Sequence, residues 1–591
     1  MGLVLLVQGL YLSDCPTPPH SSHDGFTLVP QLQKLAMGRV PDDATLGMFE
    51  GTWFPPETEP GTATGWRPWM ARLLGNTRPH TWVDAPHPLA LAAAVAVAVP
   101  GWVLAPAWVI TGYFIALLLA LYFIGARVRS RRVGLLAAAL AAGSPGLFGM
   151  SRYVETHLPV VAMATVAVAL LLHLDGLRRW GRCLVLSGVI WSLSRTGEGA
   201  GEVVTAGLLV AGPGLWVLWT SRRRARAAAW ALGFLALAVP FLALADLPFL
   251  RACMETVTRA FADPTVQTDV VEKGGALGQP WTWRAAYLIL LGTDYLAPLL
   301  AVFVPLAAFG VVAAWKTGAP LQRGALVLWA VVPMLALSWM QRKAGWYGIG
   351  LIPPVVLWMA IGLDSLPRWR RLAVAGAVGA ALVQLTVGSL LPRDAVPDGL
   401  AWLRQPIAVH DWRLRRVDLL RPVDSDAHRA LVRDADALID WLDAHHPPMG
   451  QGLTVGAIVR GAGADYPLRY RVSLVRPDVD VLNLTDPRAR RIGYRGFHPD
   501  DLVALVYVGA SFEAWPPSAG DRAWMRTNLQ CKPDDALDPF LAAVLRRGLE
   551  DVGAPVPIYQ LGRTLGGALG PGRLWSGSLE LPPGEVPLCG P

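Results

Sequence analysis

Hydrophobic positions in this chain fall in long blocks instead of at helical or strand spacing. Apolar runs of about the 17 to 25 residues needed to cross hydrocarbon as helix occupy 106–126, 133–149, 158–174, 203–219, 228–246, 296–315, 324–340, 347–363 and 371–391. Shorter ones lie at 1–12, 86–100 and 183–194. Helices apolar on every side are those of a membrane bundle. From 396 the pattern changes, as apolar runs shorten to strand length and charges intersperse. There "ALIDWLDAHHPPMGQGLTVGAIVRG" predicts helix, loop and strand, while "DVDVLNL", "DLVALVYVG" and "VPIYQL" predict further strands and "PFLAAVLRRGLEDVG" an amphipathic helix. The predicted fold class is a membrane all-α, multi-span helical bundle over 1–395 followed by a C-terminal α/β domain over 396–591.

Charge orders the spans. The basic clusters "RVRSRR" (127–132), "LRRWGR" (177–182), "SRRRARA" (221–227), Lys316 with Arg323, and "PRWRR" (367–371) sit between apolar blocks, where Lys and Arg mark cytoplasmic loops. For all five to lie inside, 13–105 must be an external loop, and 86–100, which ends in Pro-Gly, must be a juxtamembrane helix that does not cross. About eleven transmembrane helices remain, and everything after 392 lies outside. The first run is short for a span and Met1 lacks a basic flank, which points to a start codon called too late or to a truncated first helix.

Composition agrees with that class and removes others. Of 591 residues, 53% are hydrophobic and 16% charged, with mean hydropathy +0.39, which excludes an ordinary soluble enzyme. A net charge of +8 suggests nucleic acid, but the arginines cluster between spans and not along one face, so no nucleic-acid partner is expected. Five cysteines show neither a CxxC pair nor a metal-ligand spacing, so no metal site and no redox motif follow from them.

Polar chemistry concentrates on the predicted outer face. The first external loop carries Asp14, Asp24, Asp42 and Asp43, with Asp84 and His87 at its end, and Trp53, Trp66, Trp69 and Trp82 as interfacial anchors. A second external loop reads "SRYVETH" (151–157), placing Arg152, Tyr153, Glu155 and His157 between two apolar runs. The passage "QRKAGWYGIGLIPP" (341–354) is the one break in the charge pattern, since it sets Arg342 and Lys343 outside at the head of a helix. Such a pair either meets a lipid phosphate or snorkels to headgroups.

The order of these pieces resembles the C-type glycosyltransferases (GT-C), in particular the protein O-mannosyltransferases and the lipid A aminoarabinose transferases. The resemblance runs over 1–391 and rests on a short first helix, an early acidic residue in the first external loop, "PHPLAL", an arginine cluster followed by an alanine-rich helix and "SRY", and a late "RKxxWYxxxLIPP". It implies transfer of a sugar from a polyprenyl-phosphate carrier to an acceptor (lipid, glycan or protein) on the outer face of a bacterial inner membrane. No cofactor beyond the lipid-linked donor is implied, and a divalent metal is left open. Asp24 in "SSHDGFTLVPQLQKLA" matches the family's loop carboxylate. Where the family passage resembles "SRxxxxDxP", this chain has His157 in the acidic slot and Glu155 two residues earlier, so either Glu155 takes the acidic role or His157 acts in its place. The resemblance assigns Arg342, Lys343, Tyr347, Arg152, Tyr153 and His87 to substrate and carrier.

The alternatives are a polar-lipid transporter or flippase and a catalytically inactive lipid-binding relative. Few internal charges and no inverted repeat speak against the transporter. The C-terminal domain shows no Gly-rich phosphate loop and no nucleophile elbow, so it reads as acceptor-facing or structural.

Overall fold

The computed structural model describes residues 1–14, 87–99, 101–173, 285–317, 320–339, 345–390, 425–448, 453–459, 466–483, 502–509, 558–562 and 573–575, with Val29, Gln33 and Val189 besides. Its helices in chain order are α1 (Gly2–Asp14), α2 (His87–Ala98), α3 (Ala105–Val128), α4 (Arg131–Ala142), α5 (Pro145–Phe148) and α6 (His157–His173). They continue with α7 (Ala286–Leu290), α8 (Pro305–Thr317), α9 (Pro320–Trp339), α10 (Ile352–Asp364), α11 (Arg370–Leu390), α12 (Ser425–His445) and α13 (Tyr466–Val475). Five strands follow the same order: β1 (Leu453–Val459), β2 (Val479–Asn483), β3 (Leu502–Gly509), β4 (Ile558–Gly562) and β5 (Arg573–Trp575). The described residues fall into two compact units, the first holding α1 to Ser13, the start of α2 to Leu89, α3 from Ala107 and α4 to α11, the second the stretch Ala90–Pro106 and everything from α12 on.

In the helical unit, α3 and α11 are long and apolar enough to cross a membrane, and α4 with Pro145–Arg152 passes the same test as a pair bent by 66°. The sequence predicts one straight helix over 133–149, and the bend has a local cause. Ser144 opens a new helix with Pro145 in its first turn, where a residue lacking an N–H ends the α4 ladder. The predicted span at 296–315 likewise begins late: a π turn (Leu291–Tyr295) and a 3-10 turn (Leu300–Phe303) precede α8. Helix α2 has 12 residues, about 18 Å of rise, well short of a hydrocarbon core of about 30 Å.

Breaks in membrane helices free backbone groups that lipid cannot satisfy. Here one side chain on α11 does so for two breaks. Gln384, 2% exposed, donates from Nε2 to the Gly143 carbonyl at 2.9 Å and accepts through Oε1 from the amides of Leu300, at 2.9 Å, and Leu299. Helices α8 and α10 meet at a glycine pair: a methyl at Gly310 would run into the Trp358 carbonyl, and one at Gly362 into the Leu306 carbonyl. Small residues allow this approach, and dispersion supplies the attraction that the hydrophobic effect does not provide in lipid.

Side-chain contacts sort the helix ends into two layers. At one end Arg129 meets Asp364 at 3.6 Å and Arg127 donates to the Leu172 carbonyl at 3.3 Å. These residues close α3, α10 and α6, ends that the arginine clusters assign to one side. About 16 residues back along α3, roughly 24 Å, Thr111 joins Gln8 of α1 and Ser151 in the opposite layer.

The second unit holds a sheet in the order β2-β1-β3-β4-β5, parallel except for the β4–β5 pair. The apolar runs of β1, β2 and β3 suit strands covered on both faces. Leu438, Ile439 and Leu442 of α12 and Leu468 and Val472 of α13 pack on Val455, Val479 and Val481. Arg476 ties the end of α13 to β2 and α12, donating to Asp478 at 2.8 and 2.6 Å, to Asp443, and to the His446 carbonyl at 2.8 Å. That hydrogen bonding, with Asp478 first, raises its guanidinium above the ordinary value. The Tyr470 hydroxyl donates to the Val103 carbonyl at 3.1 Å, and complete burial pushes it well above the usual tyrosine range.

Candidate functional site

The sequence SRYVETH folds as a compact polar turn. Helix α5 passes into a 3-10 turn (Met150–Arg152), Tyr153 leaves in extended conformation, and His157 opens α6. Pro159 falls in the first turn of α6, where its missing N–H costs nothing. Every side chain from Ser151 to His157 is buried, in contrast to an ordinary external connection.

Arg152 is 1% exposed and makes polar contacts on several sides. Its Nε donates to Gln8 Oε1 at 3.3 Å, Nη1 to the Gly388 carbonyl at 3.4 Å, and Nη2 to the Ser389 hydroxyl. The guanidinium carbon also lies 3.8 Å from the centre of the Tyr11 ring and 5.0 Å from that of Phe148, an arrangement that spreads a desolvated cation over aromatic faces. Gln8 is oriented by donating to Thr111 Oγ1 at 3.2 Å and to Ser151 at 3.3 and 3.4 Å, and Thr111 donates to the Ala107 carbonyl at 3.0 Å. Arg152 thereby joins α1, α5 and α11, and Gln8 adds α3.

Glu155 and His157 form the second half of the turn. They are 7% and 8% exposed, and His157 Nε2 lies 3.7 Å from Glu155 Oε2. That is an ion-pair distance, too long for a hydrogen bond between the two. A carboxylate beside an imidazole can accept a proton from an attacking hydroxyl and share it with a neighbour. Among the described residues no group of three or more His, Cys, Asp or Glu could hold a metal ion.

Of the residues singled out by sequence, the structure brings Arg152, Tyr153, Glu155 and His157 onto one turn. His87 is the first residue of α2 and half-buried. Asp24, Arg342 and Lys343 lie outside the described residues, and Tyr347 is described only as part of the 3-10 segment Gly345–Leu351. Sequence reasoning missed Gln8, Thr111, Ser389 and Gln384, and it passed over Tyr287 and Tyr295. Lone polar residues inside apolar helices, such as Gln8 in "GLVLLVQGLYL", were the available signal.

No family model and no curated protein matches the chain. Among solved structures, it is similar to ArnT from Cupriavidus metallidurans bound to undecaprenyl phosphate, with 14% identity over 85% of this chain and 88% of that one and a TM-score of 0.48. The apo state of the same protein gives 12% identity, coverage of 95% and 93%, and a TM-score of 0.49. The oligosaccharyltransferase AglB from Archaeoglobus fulgidus, in complex with an inhibitory peptide and a dolichol-phosphate, gives 11% identity, coverage of 81% and 64%, and a TM-score of 0.33. At such identities and scores these likenesses assign no activity, and the reading that follows rests on the chain's own residues.

Proposed function

We propose that the chain is an integral-membrane, multi-pass glycosyltransferase that moves a sugar from a polyprenyl-phosphate carrier to an acceptor outside a bacterial inner membrane. The observation that carries this reading is the buried Glu155–His157 pair beside the enclosed Arg152, set where the predicted outer ends of α1, α3, α5 and α11 meet. Polar groups held this deep in an apolar bundle are expensive and mark function. The ordered motifs that resemble the GT-C family add support along 1–391.

The reaction is a displacement. The acceptor oxygen bonds to the anomeric carbon while the bond from that carbon to the carrier phosphate breaks, so the configuration inverts. A carboxylate removes the acceptor proton. Asp24 or Glu155 takes this role, with His157 beside Glu155 as partner. The electron pair departs with the phosphate, whose charge is met by Arg342 and Lys343. Tyr347, Tyr153 and His87 orient the donor, and Arg152 fixes the turn that presents Glu155. The outer α/β domain, 396–591, faces the acceptor.

Two substitutions test the assignment in purified, reconstituted protein. Removing a general base costs about 100-fold or more, so Glu155→Gln or Asp24→Asn should lower turnover by that factor while the protein stays folded. If both variants, and His157→Asn with them, retain the parent's rate, the turn is structural and the assignment fails.

A further inference from the structure

Arg152 can fix the SRYVETH turn only if its own guanidinium is held, and α1 supplies the seat. This helix turns Leu6 and Leu10 outward and buries Val4, Val7, Gln8 and Tyr11. Gln8 and Tyr11, three residues apart, share one helix face and meet the same guanidinium: the Tyr11 ring centre lies 3.8 Å from its central carbon, and Gln8 Oε1 accepts from its Nε at 3.3 Å. Chemistry sets the direction of every bond here. A guanidinium only donates, so Gln8 presents its oxygen to Arg152 and its NH2 to the other side, where Thr111 Oγ1 lies at 3.2 Å and the Ser151 hydroxyl and carbonyl at 3.3 and 3.4 Å. Both hydroxyls are acceptors there because their protons go to the Ala107 and Phe148 carbonyls, at 3.0 and 2.7 Å. Gln8 therefore bonds both residues at the head of the turn, Ser151 and Arg152, and ties them to α3. An amide inside an apolar helix is costly unless it is used in this way.

We propose that Gln8 is a positioning residue: by fixing the direction of the Arg152 guanidinium it holds the turn on which Glu155 and His157 stand. The role rests on the transferase reading above and deepens it. Without the Gln8 oxygen, the guanidinium keeps its contacts to Gly388 and Ser389 at the end of α11 but loses its bond to α1, and the turn loses its tie to α1 and α3. Methionine fills nearly the same space and offers no comparable acceptor, so it should loosen the turn. Glutamate still accepts from Arg152, and the Thr111 and Ser151 hydroxyls can rotate to donate to it. It forfeits only the contact to the Ser151 carbonyl, so it should hold the turn.

The experiment uses the full chain in liposomes at constant pH, with diethylpyrocarbonate as the probe and mass spectrometry reading modification at each histidine. His157, 8% exposed, should react slowly in the parent, and the exposed His445 serves as internal control. Gln8→Met should speed modification of His157 about tenfold or more, the effect of losing a hydrogen bond to a charged group, and leave His445 unchanged; Gln8→Glu should stay within about threefold of the parent. If Gln8→Met does not fold, Thr111→Val, which removes the hydroxyl that receives the Gln8 amide, should speed the same reaction about threefold. Parent-like protection of His157 in Gln8→Met, or in Thr111→Val where that variant has to stand in, overturns the proposal. So does Gln8→Glu exposing His157 as fully as Gln8→Met, which would show that the bond to Arg152 does not hold the turn. Turnover of a polyprenyl-phosphate sugar by the same proteins separates the two claims: kcat should fall with His157 protection while KM for the donor stays within about threefold. Loss of protection with kcat unchanged would leave Gln8 as the holder of the turn and sink the catalytic reading of Glu155 and His157.

Discussion

Replacing Gln384 by leucine isolates the device that lets this bundle bend. The amide makes three hydrogen bonds to backbone groups set free at two helix breaks, the Gly143 carbonyl and the Leu299 and Leu300 amides. Leucine keeps most of the volume and removes all three. Polar contacts between membrane helices are worth about 0.6 kcal/mol on average, and up to roughly 1.7. An orphaned buried backbone group in a well-packed site costs about 1–3 kcal/mol. Three bonds lost at once, with no water to replace them, should therefore cost roughly 2–5 kcal/mol. Equilibrium unfolding in mixed micelles, driven by SDS or by steric trapping, reads that difference. Thr386→Ala is the control, since Thr386 bonds carbonyls of its own helix, those of Leu382 and Val383. A Gln384→Leu protein within about 0.5 kcal/mol of the parent, the range of an ordinary surface substitution, would refute the idea that one side chain seals both breaks.

Three further outcomes follow from other parts of the structure. Gly362→Ala should force α10 away from the Leu306 carbonyl and destabilise the bundle by about 1–3 kcal/mol, as overpacking does; unfolding in the same micelles measures it. Arg476→Ala leaves Asp478, 4% exposed, without its bidentate partner, and should cost about 3–5 kcal/mol, seen as earlier loss of the second unit's β signal on heating. His446 is held below the ordinary imidazole value of 6.5 by burial, then by His445 and Arg476. The folded state thus prefers it neutral, so its contribution is complete above pH 6.5 and is lost as pH falls through the lowered value. His446→Gln should flatten the decline in stability between pH 7 and 5, and an unchanged slope would contradict this.

How far the fold could be read from sequence depended on the kind of signal. The runs at 106–126, 158–174 and 371–391 became α3, α6 and α11 within a few residues, because hydrocarbon length sets both the block and the helix. The strands read in "LTVGAIV", "DVDVLNL", "DLVALVYVG" and "VPIYQL" are β1 to β4, since runs of β-branched and apolar residues bounded by turns leave few other choices. The break at Gly143–Pro145 and the π turn before Tyr295 were hidden inside apolar runs. The backbone groups freed at Gly143 and at Leu299 and Leu300 are met by Gln384 of α11, more than 80 residues away along the chain. At the site, composition marked Arg152, Glu155 and His157 as polar residues out of place. It gave no hint that Arg152 turns inward to Gln8 and Ser389, because that follows from packing that only the folded chain creates.

In the proposed reaction the bond between carrier and sugar breaks, and the intact lipid is not merely moved across the bilayer; the distinction can be measured directly. It is tested by following the fate of a doubly labelled polyprenyl-phosphate sugar, with one label in the sugar and one in the lipid, in liposomes containing the purified protein and a mixture of lipid, glycan and peptide acceptors. The two labels should separate, with the sugar on a new hydroxyl in inverted configuration and the lipid recovered as free polyprenyl phosphate, at a rate that Glu155→Gln or Asp24→Asn lowers about 100-fold. If both labels stay on one molecule while it changes leaflet, the protein is a transporter of polar lipids and the transferase account is wrong.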